Sequence, residues 1–196
     1  MPRYFDFEVS LVVARRTWRR FLVQKSATFA DLHLAIQDAF EWQNYHLFEF
    51  RHPGNLNVIA GMPDEDAPTT PDAKRIQVKD RLDPRSYGSM WFEYEYDFGD
   101  GWIHEVKLRD EVSLPDSFKR RLVDGERAAP PEDCGGPGGY ERLLSVVEKG
   151  VDPWGDLEMI KEWLGNWNPE TFDLDALRKQ FDRATGEKRQ TRFVNN

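Results

Sequence analysis

The chain has 196 residues, a formal net charge of −8 and a sequence pI of about 5.1, and 13% of its residues are aromatic. A chain of this length and apolar content folds around a core, because disordered chains lack the apolar surface that offsets the entropy of ordering. The net negative charge disfavours nucleic acid as a partner, since it repels phosphate. The single cysteine, Cys134, excludes an internal disulfide and a cysteine-rich zinc site.

No targeting or membrane signal stands out in the sequence. The N-terminal segment mixes charged residues into its apolar run, unlike the core of a signal peptide, and no apolar stretch reaches about 18 residues. We therefore expect a cytoplasmic protein without a membrane partner.

The first half of the chain has the patterns of several strands and one helix. Residues 4–13 alternate between apolar and polar side chains, which predicts a half-buried strand, and residues 17–23 predict its hairpin partner. Thr28 and Asp31 form a capping-box pattern at the start of a helix, and His33 on the flank of that helix is expected to face solvent. Further strands are predicted at residues 46–50, 56–60, 90–98 and 102–112.

Helical spacing dominates the end of the chain. Apolar residues recur at helical intervals after Tyr140, after Leu157 and after Leu174. The predicted fold class is therefore α+β: a mixed or antiparallel sheet with a hairpin-helix-sheet, β-grasp-like N-terminal part and a helical C-terminal third. We assign residues 1–184 to a single domain and the polar residues 185–196 to a flexible tail.

The segment "YEYDFGDGWIHEV", residues 94–106, predicts a hairpin that can form in two registers. A two-residue loop places Asp97 opposite His104, which would suit a catalytic pair. A three-residue loop centred on Asp100 instead pairs Tyr96 with His104 and turns Asp97 to the other face. Burial of the aromatic row outweighs a surface ion pair of at most about 1 kcal/mol, so we expect the three-residue loop and a histidine on the aromatic face.

Five polar residues are candidates for one cleft. They are His46, Asp100, His104, Glu132 and Asp133. Imidazole and carboxylate groups are the ligands that a divalent metal would need, but the chain has no HExxH or His-x-His spacing, so we assign no metal ligand and no catalytic residue. In the simpler interpretation Asp100 holds the turn, His104 is a core histidine, and the glycine-rich loop after Glu132 and Asp133 is structural.

Several motifs in this order resemble those of a known family. They are WRR (18–20), LHxxI (32–36), HLxxF (46–50), YxYDFGDxWxH (94–104) and PPEDxGGxxGY (130–140). Over residues 4–175 the chain resembles the plasmid pRiA4b ORF-3-like family. The resemblance implies a single α+β domain of prokaryotic genomes and plasmids, with no established activity. A cysteine that is common in this family before the PPED motif is replaced here by Ala129.

Two functions are compatible with these residues. The one we favour, because no complete catalytic set is present, is a non-catalytic binding or interaction module without a cofactor, associated with plasmids or mobile elements. Its partner is not identified by the sequence, and a protein is one candidate. The alternative is a hydrolase or nuclease that uses a divalent metal in the His/Asp/Glu cleft.

Overall fold

The computed structural model describes residues 1–14, 16–82 and 90–183, and the strands of this part of the chain form one sheet of seven. The strands are β1 (Arg3–Leu11), β2 (Trp18–Gln24), β3 (Phe48–Arg51), β4 (Val58–Gly61), β5 (Trp91–Tyr96), β6 (Trp102–Ser113) and β7 (Arg120–Glu126). They lie in the order β4-β3-β5-β6-β1-β2-β7, and all neighbours are antiparallel.

Short helices complete the described part of the chain. They are α1 (Phe29–Ala39), α2 (Gly136–Lys149), α3 (Leu157–Leu164) and α4 (Leu174–Arg183), with a 3-10 helix at Val78–Arg81. The predicted capping box is confirmed: Thr28 Oγ1 accepts from the Asp31 N–H at 3.1 Å, and the Thr28 N–H donates to the Asp31 carboxylate at 2.8 Å. Among the described helices, none combines the length and the apolar character needed to cross a bilayer.

The predicted β-grasp-like arrangement is wrong, because the N-terminal hairpin lies inside a larger sheet. β1 also pairs with β6 and β2 also pairs with β7, so an antiparallel strand lies along each edge of the hairpin. The sequence pattern does not reveal β7, where Leu122 alone is buried among seven residues. A single buried position gives no apolar alternation, so nothing in the pattern marks this segment as a strand.

The predicted helical C-terminal third is also wrong. Helices α2, α3 and α4 have 14, 8 and 10 residues and are separated by loops, so the fold is mostly sheet with short helices beside it. Gly150 and Gly165, both with positive φ, end α2 and α3. α4 lies against the sheet edge, where Arg178 donates to the Leu122 carbonyl and the Leu122 N–H donates to Asp182.

One apolar cluster forms the main core and runs from Phe5 on β1 to Phe181 on α4. The apolar face that alternation predicts for β1 is buried in it. A smaller cluster, which includes Leu143 and Leu164, joins α2 to α3. The predicted tail, residues 185–196, lies outside the described residues.

The β5–β6 hairpin has the predicted faces but not the predicted register. Tyr96 pairs with Trp102 and Tyr94 pairs with His104, so residues 97–101 form a longer loop than predicted. The predicted register is wrong by two residues, and an even shift keeps every side chain on its face. His104 therefore lies on the buried aromatic face.

Two histidines are buried in this core. His33, which was expected to be exposed, is 2% exposed and stacks on Phe48 with ring centroids 3.6 Å apart. His104 is fully buried and stands edge-on to Phe40 and Trp42, with centroids 5.0 and 5.3 Å away. Burial lowers the pKa of both from 6.5 to about 3, so both are neutral in the folded protein.

We expect these histidines to make the fold less stable as the pH falls below about 6.5. Their folded-state pKa of about 3 lies below the ordinary 6.5, so the unfolded chain binds protons that the folded chain does not. The buried histidines contribute their full stabilisation above the ordinary pKa of 6.5. This contribution is lost as the pH falls from 6.5 towards the folded-state pKa of about 3. Between about pH 7.5 and about pH 5.5 each histidine should remove about 1.4 kcal/mol from the free energy of unfolding, measured by urea denaturation.

The variant His104→Phe keeps a flat ring on the aromatic face and should remove about half of this loss. His52→Gln, in the β3–β4 turn, should leave the loss unchanged. If His104→Phe loses as much stability as the native chain over the same pH range, His104 does not have a lowered pKa.

Candidate functional site

Three loops meet at one end of the sheet, which we call the loop end. They are the α1–β3 loop (residues 40–47), the β5–β6 loop (97–101) and the loop before α2 (127–135). Each loop contributes one member of a polar cluster formed by His46, Asp97 and Asp133.

The cluster brings one imidazole nitrogen together with two carboxylates. His46 Nε2 lies 2.9 Å from Asp133 Oδ1 and 3.5 Å from Asp97 Oδ2, and the three ligand atoms are all within 4.8 Å of one another. Two ligands of one Zn²⁺ ion, with bonds of about 2.1 Å, lie about 3.0–3.5 Å apart, so the distance to Asp97 fits a shared cation, whereas the distance to Asp133 is that of a hydrogen bond, which a bound cation would replace. The side chains of Asp97, His46 and Asp133 are 13%, 31% and 64% exposed, so the cluster opens to solvent.

Asp97 reaches the cluster because it leaves the strand. Its φ is +56°, and β5 ends one residue earlier at Tyr96. Asp97 Oδ1 accepts hydrogen bonds from the N–H groups of Gly99 and Asp100 at 3.0 and 3.3 Å. These bonds fix the side chain and leave Oδ2 facing His46.

Glu132, next to Asp133, joins two of the loops instead of joining the cluster. Its Oε1 accepts from the Tyr96 hydroxyl at 2.5 Å, and its Oε2 accepts from the Gln43 N–H at 2.7 Å. The Tyr96 hydroxyl also accepts from the Tyr45 N–H at 3.0 Å. Burial, together with the hydrogen bond to Glu132, raises the pKa of Tyr96, so the hydroxyl keeps its proton and remains a donor.

A buried hydrogen-bond network supports the α1–β3 loop from inside the fold. Asn44, with φ of +61°, accepts from His33 Nε2 at 2.7 Å, and its N–H donates to Gln37 Oε1 at 3.1 Å. The Tyr94 hydroxyl lies 2.8 Å from His33 Nδ1 and accepts from Gln37 Nε2 at 3.0 Å. All four bonds are satisfied when His33 carries its proton on Nε2, since a carbonyl oxygen can only accept. The network fixes the backbone that presents His46.

The glycine-rich loop before α2 allows close contact between backbones. A Cβ atom at Gly136 would overlap the Asp100 carbonyl, and one at Gly139 would overlap the Cys134 carbonyl. These glycines therefore have a structural role.

Burial, aided by the negative charge of Asp100, raises the pKa of Cys134 to about 12, so its thiol is protonated and is not a nucleophile.

The structure brings two of the five residues predicted for one cleft into the cluster and places a third, Glu132, beside it. His46 and Asp133 are in contact, and Glu132 is the chain neighbour of Asp133. Asp100 lies against the glycine-rich loop and His104 lies in the core, so neither belongs to the cluster.

The sequence interpretation misses Asp97 as a member of the cluster, because it treats this residue as part of a strand. The signal that could have found it is the sequence Asp97-Phe98-Gly99-Asp100. An aspartate two residues before a glycine can accept hydrogen bonds from the amides of a turn, and it then tolerates a positive φ that ends the strand.

The profile of the plasmid pRiA4b ORF-3-like protein family matches residues 3–176. The chain belongs to this family. The match confirms the resemblance drawn from the motifs. The three cluster residues lie in three different motifs, HLxxF, YxYDFGDxWxH and PPEDxGGxxGY.

Two proteins similar to this chain cover most of it. The "Uncharacterized protein y4hQ" of Sinorhizobium fredii (strain NBRC 101917 / NGR234) is 36% identical over 168 residues, which are 84% of this chain and 82% of that protein. The crystal structure of the protein of unknown function MM3350 from Methanosarcina mazei Go1 has a TM-score of 0.75 and 30% identity, and the match covers 90% of this chain and 98% of that chain. Neither name states an activity.

We expect Tyr96→Phe to loosen the loop end, because it removes the hydroxyl that joins Glu132 to the α1–β3 loop. The lost hydrogen bonds should lower the free energy of unfolding by about 1–3 kcal/mol, measured by urea denaturation. Tyr45→Phe is a matched control, since that hydroxyl is bonded to Gln43 at an exposed position, and it should change stability by less than about 0.5 kcal/mol. Equal small effects in both variants would contradict the role given to Tyr96.

Proposed function

We propose that the domain is a non-catalytic binding module that holds a divalent cation at its loop end, with His46, Asp97 and Asp133 as ligands. The observation that carries the proposal is the convergence of one imidazole nitrogen and two carboxylate oxygens within 4.8 Å of one another. One imidazole with two carboxylates suits Zn²⁺ or Mn²⁺ better than Mg²⁺ or Ca²⁺, because the latter two prefer oxygen ligands.

The local charge supports a cation at this position. Asp97 and Asp133 both approach His46 Nε2, and a neutral imidazole nitrogen can donate only one proton. A cation bound to that nitrogen would satisfy both carboxylates at the same time. The net charge of −8 adds a long-range attraction for cations.

The cluster leaves room for a further molecule to complete the coordination of the cation. Asp133 is 64% exposed, and two exposed rings, Tyr45 and Phe98, adjoin His46 and Asp97 in the chain. Three protein ligands leave the fourth position of a tetrahedral Zn²⁺ ion free. We infer that an oxygen atom of a partner, such as a protein carboxylate, occupies this position and that the two rings supply apolar contact area.

The link to plasmids or mobile elements is part of the same proposal and rests on the description of the family. The genes on either side of the coding sequence test this link. Transposition or plasmid-maintenance genes are expected there, and housekeeping genes on both sides would contradict it.

We expect the EDTA-stripped protein to bind one Zn²⁺ or Mn²⁺ ion per chain in isothermal titration calorimetry. A cation at about 100 times its Kd stabilises the folded state by about 2.7 kcal/mol. The melting temperature of a domain of this size should then rise by about 5–10 °C. Mg²⁺ at the same concentration should give a smaller rise.

His46→Gln and Asp133→Asn should each weaken cation binding by more than about tenfold. His52→Gln and Asp116→Asn change the same chemical groups outside the cluster and serve as matched controls. If the native chain binds no stoichiometric cation, or if both cluster variants bind as well as the controls, the proposal is wrong.

A metal-dependent hydrolase or nuclease is the alternative use of the same cluster. We prefer the binding module because Asp100 and His104 lie outside the cluster and Glu132 is bonded to Tyr96, so none of the three is placed to serve the cluster as a general acid or base. Cation-dependent cleavage of an ester or phosphodiester that is lost in His46→Gln would favour the enzyme. Cation binding without turnover would favour the module.

A further inference from the structure

A groove lies between the outer face of α2 and the turn that leads into α3, and we call it the α2 groove. It has a volume of about 500 Å³. Glu141, Leu144 and Glu148 line it from the helix, and Pro153 and Trp154 line it from the turn. The α2 groove shares no lining residue with the cluster at the loop end, so it is a separate surface.

The turn presents Trp154 to solvent in a fixed position. Trp154 is 63% exposed, although tryptophan side chains are highly buried on average. The fully buried carboxylate of Asp152 holds the turn, because it accepts from the Trp154 and Asp156 N–H groups at 3.0 and 2.6 Å. It also accepts from Arg142 Nε and Nη2 at 2.7 and 2.6 Å, and the Arg142 guanidinium lies 4.3 Å from the centroid of the Trp154 ring. A tryptophan that the fold already holds in place loses little conformational freedom on binding, which favours a role as an interface anchor.

The α2 groove has an excess of negative charge. Arg142 lines it, but the charge of this side chain is balanced by Asp152. Glu141 and Glu148 are exposed, and neither forms an ion pair with another described residue. Lys149 is the remaining charged residue of the lining. Two carboxylates against one lysine favour a cationic occupant.

The charges of the chain decide which class of molecule suits the groove. A net charge of −8 opposes the binding of a second copy of this chain, and the two glutamates would repel the phosphates of nucleic acid. A protein segment with basic side chains is attracted by the same charges. Leu144, Pro153 and Trp154 offer such a segment apolar contact area. The groove is therefore suited to a basic segment of a partner protein.

We propose that the α2 groove binds an extended segment of a partner protein with two basic residues three positions apart. Glu141 and Glu148 are seven residues apart on α2, which places them on one face of the helix with about 10.5 Å between them along its axis. A polyproline II segment advances about 9.3 Å in three residues and completes one turn, so its residues i and i+3 face the same side at a matching distance. Prolines between the two basic residues would pack against Trp154, as they do in other aromatic-lined grooves. The proposal does not rest on the cation at the loop end.

A fluorescein-labelled peptide, Gly-Arg-Pro-Pro-Arg-Gly, tests the proposal with the full chain in fluorescence anisotropy. We expect saturable binding of one peptide per chain, and added salt should weaken it because the charges lie at the surface. Replacing both arginines by citrulline, which is neutral and of similar shape, should weaken binding at least about fivefold. Moving the arginines to five positions apart, about 15 Å in this conformation, should weaken it by a similar factor.

Two variants of the chain test whether the peptide binds in the α2 groove. Trp154→Ala should weaken binding about tenfold, because it removes the aromatic anchor. Glu141→Gln combined with Glu148→Gln preserves shape at two exposed positions and should weaken binding about as much as citrulline in the peptide does.

Matched controls change the same chemical groups outside the groove. They are Trp163→Ala, at an exposed position of α3, and Glu65→Gln combined with Asp66→Asn, in an exposed loop. Both should bind the peptide as tightly as the native chain. The proposal is wrong if the native chain does not bind the peptide, if citrulline leaves the Kd unchanged, or if the groove variants bind as well as the controls. Sedimentation velocity adds one more test: a dimer of the native chain that Trp154→Ala dissociates would place a second copy in the groove and overturn the proposal.

Discussion

The Tyr96 hydroxyl is the group on which the geometry of the loop end depends. It donates to Glu132 in the loop before α2 and accepts from Tyr45 in the α1–β3 loop, while Tyr96 itself is the last residue of β5. One side chain at the end of a rigid strand therefore ties together the loops that carry His46 and Asp133. Because loops hold side chains less accurately than strands, this connection gives the cluster a precision that the loops alone would not provide.

Aromatic residues of the core also hold the loop end in place. Trp42 stacks on Tyr96 at 5.3 Å and donates from its indole to the Pro130 carbonyl at 2.9 Å, so the core and the loop before α2 are joined a second time. His104 is part of the same aromatic layer and is kept neutral by burial. Because it is neutral and enclosed by rings, this motif histidine packs as part of the core, whereas His46 lies at the solvent-open loop end.

The sequence was enough to predict which side chains share a face of a strand and which residues cap a helix. It was not enough to predict contacts between residues that are distant in sequence. Parity put His104 on the aromatic face because side chains alternate strictly, but the register depended on Asp97 adopting a positive φ, which no alternation reveals. The apolar pattern did not predict β7 because Leu122 is its only buried residue. The prediction that His33 faces solvent was wrong because its burial depends on Asn44 and Tyr94. These residues are distant in sequence and become its partners only when the chain folds. The meeting of His46 with Asp133 is equally long-range, since 87 residues separate them.

The proposed cation site does not depend on being filled. Asp133 is 64% exposed, so water solvates the carboxylate and the cluster at the loop end remains stable without a cation. A cation at the loop end would therefore exchange with solution and respond to its concentration, as a binding module requires.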